Sequence, residues 1–172
     1  MNLARLRSMY RFNTWANENL RQGIEGADEA LVQRPLDMWF GSAFNVLAHL
    51  CAGEAIWLAR LRDGETPARL LTAADFPGLQ AMLQAWRRLD SEWEDYVKTL
   101  TNDILDSTVS WRRQEGETFT NQLWQPVLHV AFHGTEHRGH ASVALTALGI
   151  EHGPQDFLYQ FLPPPSATRP MD

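Results

Sequence analysis

The stretch HVAFHGTEHRGH, residues 129 to 140, carries four of the chain's six histidines. Imidazole is the side chain whose charge changes near neutral pH, and it is the commonest metal ligand in proteins. Concentrating it here points to proton transfer, to metal binding, or to both. On a helix turning about 100° per residue, with His133 taken as zero, His129 falls at about −40°, His137 at about +40° and His140 at about −20°. All four share one face. A rise of about 1.5 Å per residue puts His129 and His140 roughly 16 Å apart, too far for one ion to hold the whole stripe. The pairs His129/His133 and His133/His137 are each about 6 Å apart, which lets two rings converge on an ion at roughly 2.0–2.1 Å. Spacing alone leaves both pairs open.

A third ligand has to come from another helix, and His49 is the only histidine on any other predicted one. The single cysteine, Cys51, allows neither an internal disulfide nor a cysteine cluster. Histidine and carboxylate must therefore hold any metal. The ordinary alternative is that these histidines bond to backbone or carboxylate, but three or four in one stripe without a shared ligand would gather unsatisfied polar groups.

The same segment contains HGTEH, which fits H-x-x-E-H, a zinc-peptidase pattern in which the glutamate is the general base. That class needs a further carboxylate well downstream, where only Glu151, Asp156 and Asp172 remain. A peptidase is the weaker reading. Glu136, at about −60°, borders the stripe as a general base, an orienting group or a solvated side chain. Arg138 points about 140° from His133, suiting a salt bridge or subunit contact. Cys51 reads as a buried apolar thiol, His129 as a residue lining a pocket, and His152 as part of a loop.

Positioning these residues falls to four amphipathic segments. Residues 2–22 place Leu3, Leu6, Met9 or Tyr10, Asn13, Ala16 or Asn17, and Leu20 at three-and-four spacing, with the asparagines expected to tie helices together. Ser42 is set to cap a second helix that carries His49 and ends at RDGETP. Residues 75–100 form a third, with Trp86 and Trp93 as core or interface residues, and Trp57 of the second helix is read the same way. Residues 106–120 alternate like a small β-hairpin turning at Glu115–Gly116, after which Thr120 is expected to cap a fourth helix reaching Leu148. The tail has one short helical turn and then Pro-rich sequence expected to fray. The expected architecture is all-α, an antiparallel four-helix bundle in a single domain spanning 1–172, a fold whose core often hosts metals.

With 44% hydrophobic residues in a 172-residue chain, one sizeable core can close. A net charge of −6 argues against nucleic acid as a partner, since phosphate binding draws on clustered Lys and Arg. No apolar run reaches signal-peptide or membrane-span length, so a cytoplasmic location without membrane association is expected.

Three blocks together, YRFNTWANENL at 10–20, FNVLAHLCAGEAIWLARL at 44–61 and HVAFHGTEHRGH at 129–140, resemble the DinB/YfiT-like proteins, named for damage-inducible members. The resemblance implies a four-helix bundle, often a homodimer, with a divalent ion held by one histidine of the second helix and two from an H-x-x-x-H-R-G-Q motif. Carried over, this selects His49, His133 and His137. His140 stands where the family pattern has Gln, leaving it as a hydrogen-bond donor to a ligand, an acid/base group or a surface residue. Three histidines leave a coordination position open, as in catalytic sites, and zinc, nickel and iron all accept imidazole. The resemblance further implies a small-molecule substrate and a low-molecular-weight thiol or water activated by the metal, with Glu136 and His140 as acid/base candidates. The competing reading is a non-catalytic metal-binding stress-response module in which the ion braces the bundle. A DNA-binding role, suggested by the family's name, conflicts with the acidic charge balance.

Overall fold

A computed structural model describes residues 2–162 of the chain. Its elements run α1 (Leu3–Ile24), α2 (Glu29–Val32), α3 (Ala43–Leu58), α4 (Leu79–Thr99), α5 (Asn102–Asp106), β1 (Thr108–Arg112), β2 (Thr118–Gln122) and α6 (Trp124–Ala147). A 3₁₀ turn at Phe157–Phe161 lays Phe157 edge-on to Phe12 of α1, ring centres 5.1 Å apart. The Pro-rich stretch that follows lies outside the described residues. No described helix is long and apolar enough to cross a membrane.

The helix starts show which local signals prevailed. Ser42 caps α3 as expected, accepting from the Asn45 N–H at 3.1 Å. The third helix begins at Leu79, not at Asp75, because Asp75 closes a short 3₁₀ turn by accepting from Thr72 and pairing with Arg69. The first free N–H of α4 is satisfied from a distance: Glu29 accepts from Leu79 N at 3.0 Å. Thr120 does not cap the last helix. It pairs with Ser110 across the hairpin, hydroxyl oxygens 2.9 Å apart, and α6 starts at Trp124. Pro126 then falls in the first turn, where its missing N–H costs nothing. The hairpin stacks Trp111 on Phe119 with ring centres 5.0 Å apart. α5 was not expected from the sequence.

The four long helices share one core. α3 packs on α4 and α6, and α1 packs on the same two. Leu6, Leu47, Leu50, Leu83, Trp86 and Leu145 are all fully buried there, each aliphatic side chain contributing roughly 1.5–3 kcal/mol relative to exposure. Past Leu58 the helix widens into a π-helical turn, Ala59–Asp63, closed by Gly64 at φ 68°, a left-handed conformation natural to glycine.

A polar network crosses this core and touches all four long helices. Glu54 of α3 is wholly buried. Its carboxylate accepts from Asn13 Nδ2 at 2.9 Å, Asn17 Nδ2 at 3.1 Å and Trp86 Nε1 at 2.9 Å. Asn17 Nδ2 is shared with Asp90, which pairs with Arg21 at 2.6 Å. Arg138 of α6 donates to the side-chain oxygens of Asn13 at 2.6 Å and Asn17 at 2.8 Å. Two carboxylates thus face two guanidinium groups. Burial, and the Glu54 charge next, push Asp90 above the usual carboxylate range. Arg138 does point away from the histidine stripe, but in place of the expected salt bridge its hydrogen-bond partners are the amide oxygens of Asn13 and Asn17 and the Thr135 hydroxyl.

Removing a buried charge from such a network strands its partners. Glu54→Ala is expected to lower the unfolding free energy by about 3–5 kcal/mol, read from urea denaturation. An unchanged midpoint would contradict the role given to Glu54.

Candidate metal centre

α3 presents His49 to α6, which presents His133 and His137. One nitrogen from each of the three rings lies within 4.8 Å of the other two. Ring centres are 4.5 Å apart for His49/His137, 4.3 Å for His133/His137 and 5.2 Å for His49/His133. Nitrogens sharing an ion at tetrahedral geometry stand about 3.3 Å apart, so closure asks for side-chain adjustments on the order of 1 Å.

Other features fit the residues to a cation. His133 Nδ1 is buried without a hydrogen-bond partner, a costly condition that a shared ligand would relieve. Among the described residues no thiol or carboxylate joins the three donors, so the donor set suits a borderline divalent ion. Gly53, one turn after His49, makes room: a Cβ there would fall 2.5 Å from His133 Cε1. Any larger side chain would push the His133 ring aside.

The remaining sequence candidates take different places. His140 is exposed, with its Nδ1 3.2 Å from His137 Nδ1. That contact leaves Nε2 of His137 free to face an ion, the usual arrangement in which one ring nitrogen is oriented by a neighbour and the other ligates. Glu136 is exposed, within electrostatic reach of His49, His129 and His137. His129 lines a cavity, His152 sits in a loop, and Cys51 is a buried thiol that burial pushes up to about 12.

The cavity, about 590 Å³, opens beside His49 and His133 and runs toward the hairpin. Trp57, Trp111, Ile56 and Pro126 give it apolar walls, and Arg60, Asn121 and Gln125 supply polar atoms. Neither Glu136 nor His140 lines it. Phe40, from the loop before α3, covers the other side of the cluster, with ring centres 5.2 Å from His49 and 5.3 Å from His137. Trp57 is therefore a half-buried cavity wall, whereas Trp86 and Trp93 are core as expected. Sequence reading did not find Phe40, Gly53, Glu54, Arg60 or Trp111. Of these only Glu54, an acid inside the apolar run LCAGEAIWL, gave a signal that could have been caught.

Burial holds the two α6 rings neutral, lowering His133 to about 3, aided by His137 and His49, and His137 to about 4, aided by His49. Burial also lowers His49 and His129, against the charge of Glu136. Neutral imidazole is the form that binds metal. Because these folded-state values lie below the usual 6.5 or so, the unfolded chain takes up protons first as pH falls. The stabilising contribution is whole above that value and drains away as pH drops toward the folded-state values. With a chelator present, the urea midpoint is expected to fall between pH 6.5 and 4, and His133→Gln to flatten part of that fall. An identical pH profile in the variant would contradict this origin.

The DinB family matches residues 1–163, nearly the whole chain. Protein DinB of Bacillus subtilis (strain 168) is 23% identical over 164 residues, covering 90% of this chain and 92% of its own length. Together with the histidine-bearing helices, this extent of match leads to one conclusion: the chain belongs to the DinB family.

Proposed function

We propose that this protein is a metal-dependent enzyme in which His49, His133 and His137 hold a divalent ion, zinc or nickel foremost and iron as a further option. The observation that carries the reading is a set of three imidazoles converging within 4.8 Å, two of which, His49 and His133, line a 590 Å³ cavity. A structural site closes its coordination with protein ligands, whereas one that ends beside a cavity keeps a position for substrate or solvent. Such an ion lowers the pKa of a bound thiol or water and so supplies a nucleophile at neutral pH. The proposed reaction is transfer or hydrolysis on a small molecule, with a low-molecular-weight thiol or water as the attacking group.

The chain's own residues have separable tasks in this reading. His140 orients the His137 ring through the nitrogen contact and relays a proton to solvent. Glu136 holds a negative charge beside the cluster and serves as its acid/base group from the exposed side. Trp57, Trp111 and Phe40 keep water from the apolar part of the site. The proposal takes residues 1–172 as one domain, the four long helices as an antiparallel bundle, and the protein as a homodimer. Exposed Phe132 and Val143, eleven positions apart on α6, support the last point as apolar surface in need of cover.

The His137–His140 contact favours a second reading, in which His140 swings in as a fourth ligand and the ion braces the fold. Elemental analysis of untagged protein tests the first reading. About one divalent ion per chain is expected, lost in His133→Ala and held at least about tenfold more weakly in Gly53→Ala, which keeps every ligand but displaces one ring. Metal retained in full by His133→Ala would refute the assigned site, and loss of metal in His140→Ala would favour the brace.

A further inference from the structure

The cavity contains a charged group that the metal centre leaves unused. Arg60, on the π-helical turn after α3, is 9% exposed, and its Nε is buried without a partner. Its guanidinium carbon lies 4.9 Å from the Trp57 ring centre and 5.1 Å from that of Trp111. Among the described residues it makes no ion pair. Its neighbours differ: Arg62 pairs with Asp63 and Glu92, and Arg113 pairs with Glu117. Glu115 lines the same cavity without forming a bond to Arg60.

Burying a cation costs free energy that two indole faces return only in part. What remains is a fork of N–H donors whose geometry matches a carboxylate in two parallel hydrogen bonds. Placement gives the fork a direction. His49, Gly53, Trp57 and Arg60 recur at helical spacing on one face of α3 and its π-helical extension, and all four line the cavity. About 16 Å of helix separates the first from the last. The cavity is thus a slot with His49 and His133 at one end, aromatic walls, and the unpaired Arg60 toward the other, where Arg113 and Glu115 also line it.

We propose that the slot takes a small molecule with a carboxylate on Arg60, an apolar body between Trp57, Trp111 and Ile56, and its other end directed to His49 and His133. A carboxylate suits the site better than a phosphate, because a single planar fork satisfies both of its oxygens. The reacting end rests on the metal-centre reading, whereas the docking on Arg60 does not.

The test is calorimetric titration of metal-loaded protein with 4-phenylbutyrate, its neutral amide and phenyl phosphate. The carboxylate is expected to bind at least about tenfold tighter than the amide. Arg60→Gln should abolish that preference at unchanged metal content and circular dichroism. Arg60→Lys, which keeps the charge without the fork, should retain part of it. His133→Ala should leave it intact, so failure of the metal site is distinguishable from failure of the Arg60 assignment. Three outcomes would overturn the proposal: equal or undetectable binding of acid and amide, a preference that survives Arg60→Gln but vanishes in His133→Ala, or phenyl phosphate bound tighter than the carboxylate.

Discussion

A carboxylate sealed inside an apolar core must find partners on every side, and Glu54 finds them on two other helices. Two asparagines of α1 and the indole of Trp86 on α4 donate to it, and the same asparagines accept from Arg138 on α6. Apolar packing alone tolerates small slides of one helix along another, since one buried methyl contact resembles the next. Hydrogen bonds of 2.6–3.1 Å do not. The network therefore sets the axial register of all four long helices. The candidate ligands sit beside its anchors in sequence: Gly53, which makes room for His133, precedes Glu54, and His137 precedes Arg138. Helix register and the relative placement of the histidines are thereby coupled.

The hairpin and the π-helical turn build outward from that frame. α3 carries His49, Gly53 and Trp57 on one face, and its π-helical continuation brings Arg60 to the same cavity. Trp111 of β1 continues the same wall, packed edge-on against Trp57 with ring centres 4.8 Å apart. Without the widened turn, the ideal helical angle would carry residues beyond Leu58 around the axis at the normal rate. The local change of pitch adjusts where Arg60 points, in line with the frequent placement of π-helical turns at functional sites.

Much of this was legible in the residues themselves. The histidine stripe followed from helical angles alone, and α6 keeps helical geometry through Gly134 and Gly139. The facing of His49 toward the stripe followed from its being the only other helical histidine. Choosing between the two overlapping pairs required the family resemblance. What stayed hidden depends on distant contacts. Glu29 capping α4 spans 50 positions, and nothing near Leu79 announces it. Thr120 has the chemistry of a cap but is claimed by the hairpin, where Ser110 competes for the same hydroxyl. Arg138 read as a salt-bridge or subunit-contact residue because its angle turns it away from the stripe. In the folded chain that direction is occupied by α1.

The account depends on three imidazoles from two helices sharing one ion while a coordination position stays open toward the cavity. X-ray absorption spectroscopy at the edge of the bound metal addresses this directly. The expected spectrum shows three imidazole nitrogens at roughly 2.0–2.1 Å, with the rest of the shell made of light-atom donors that exchange with added thiol. A shell of four imidazoles unaffected by thiol, or one with fewer than three, would contradict it.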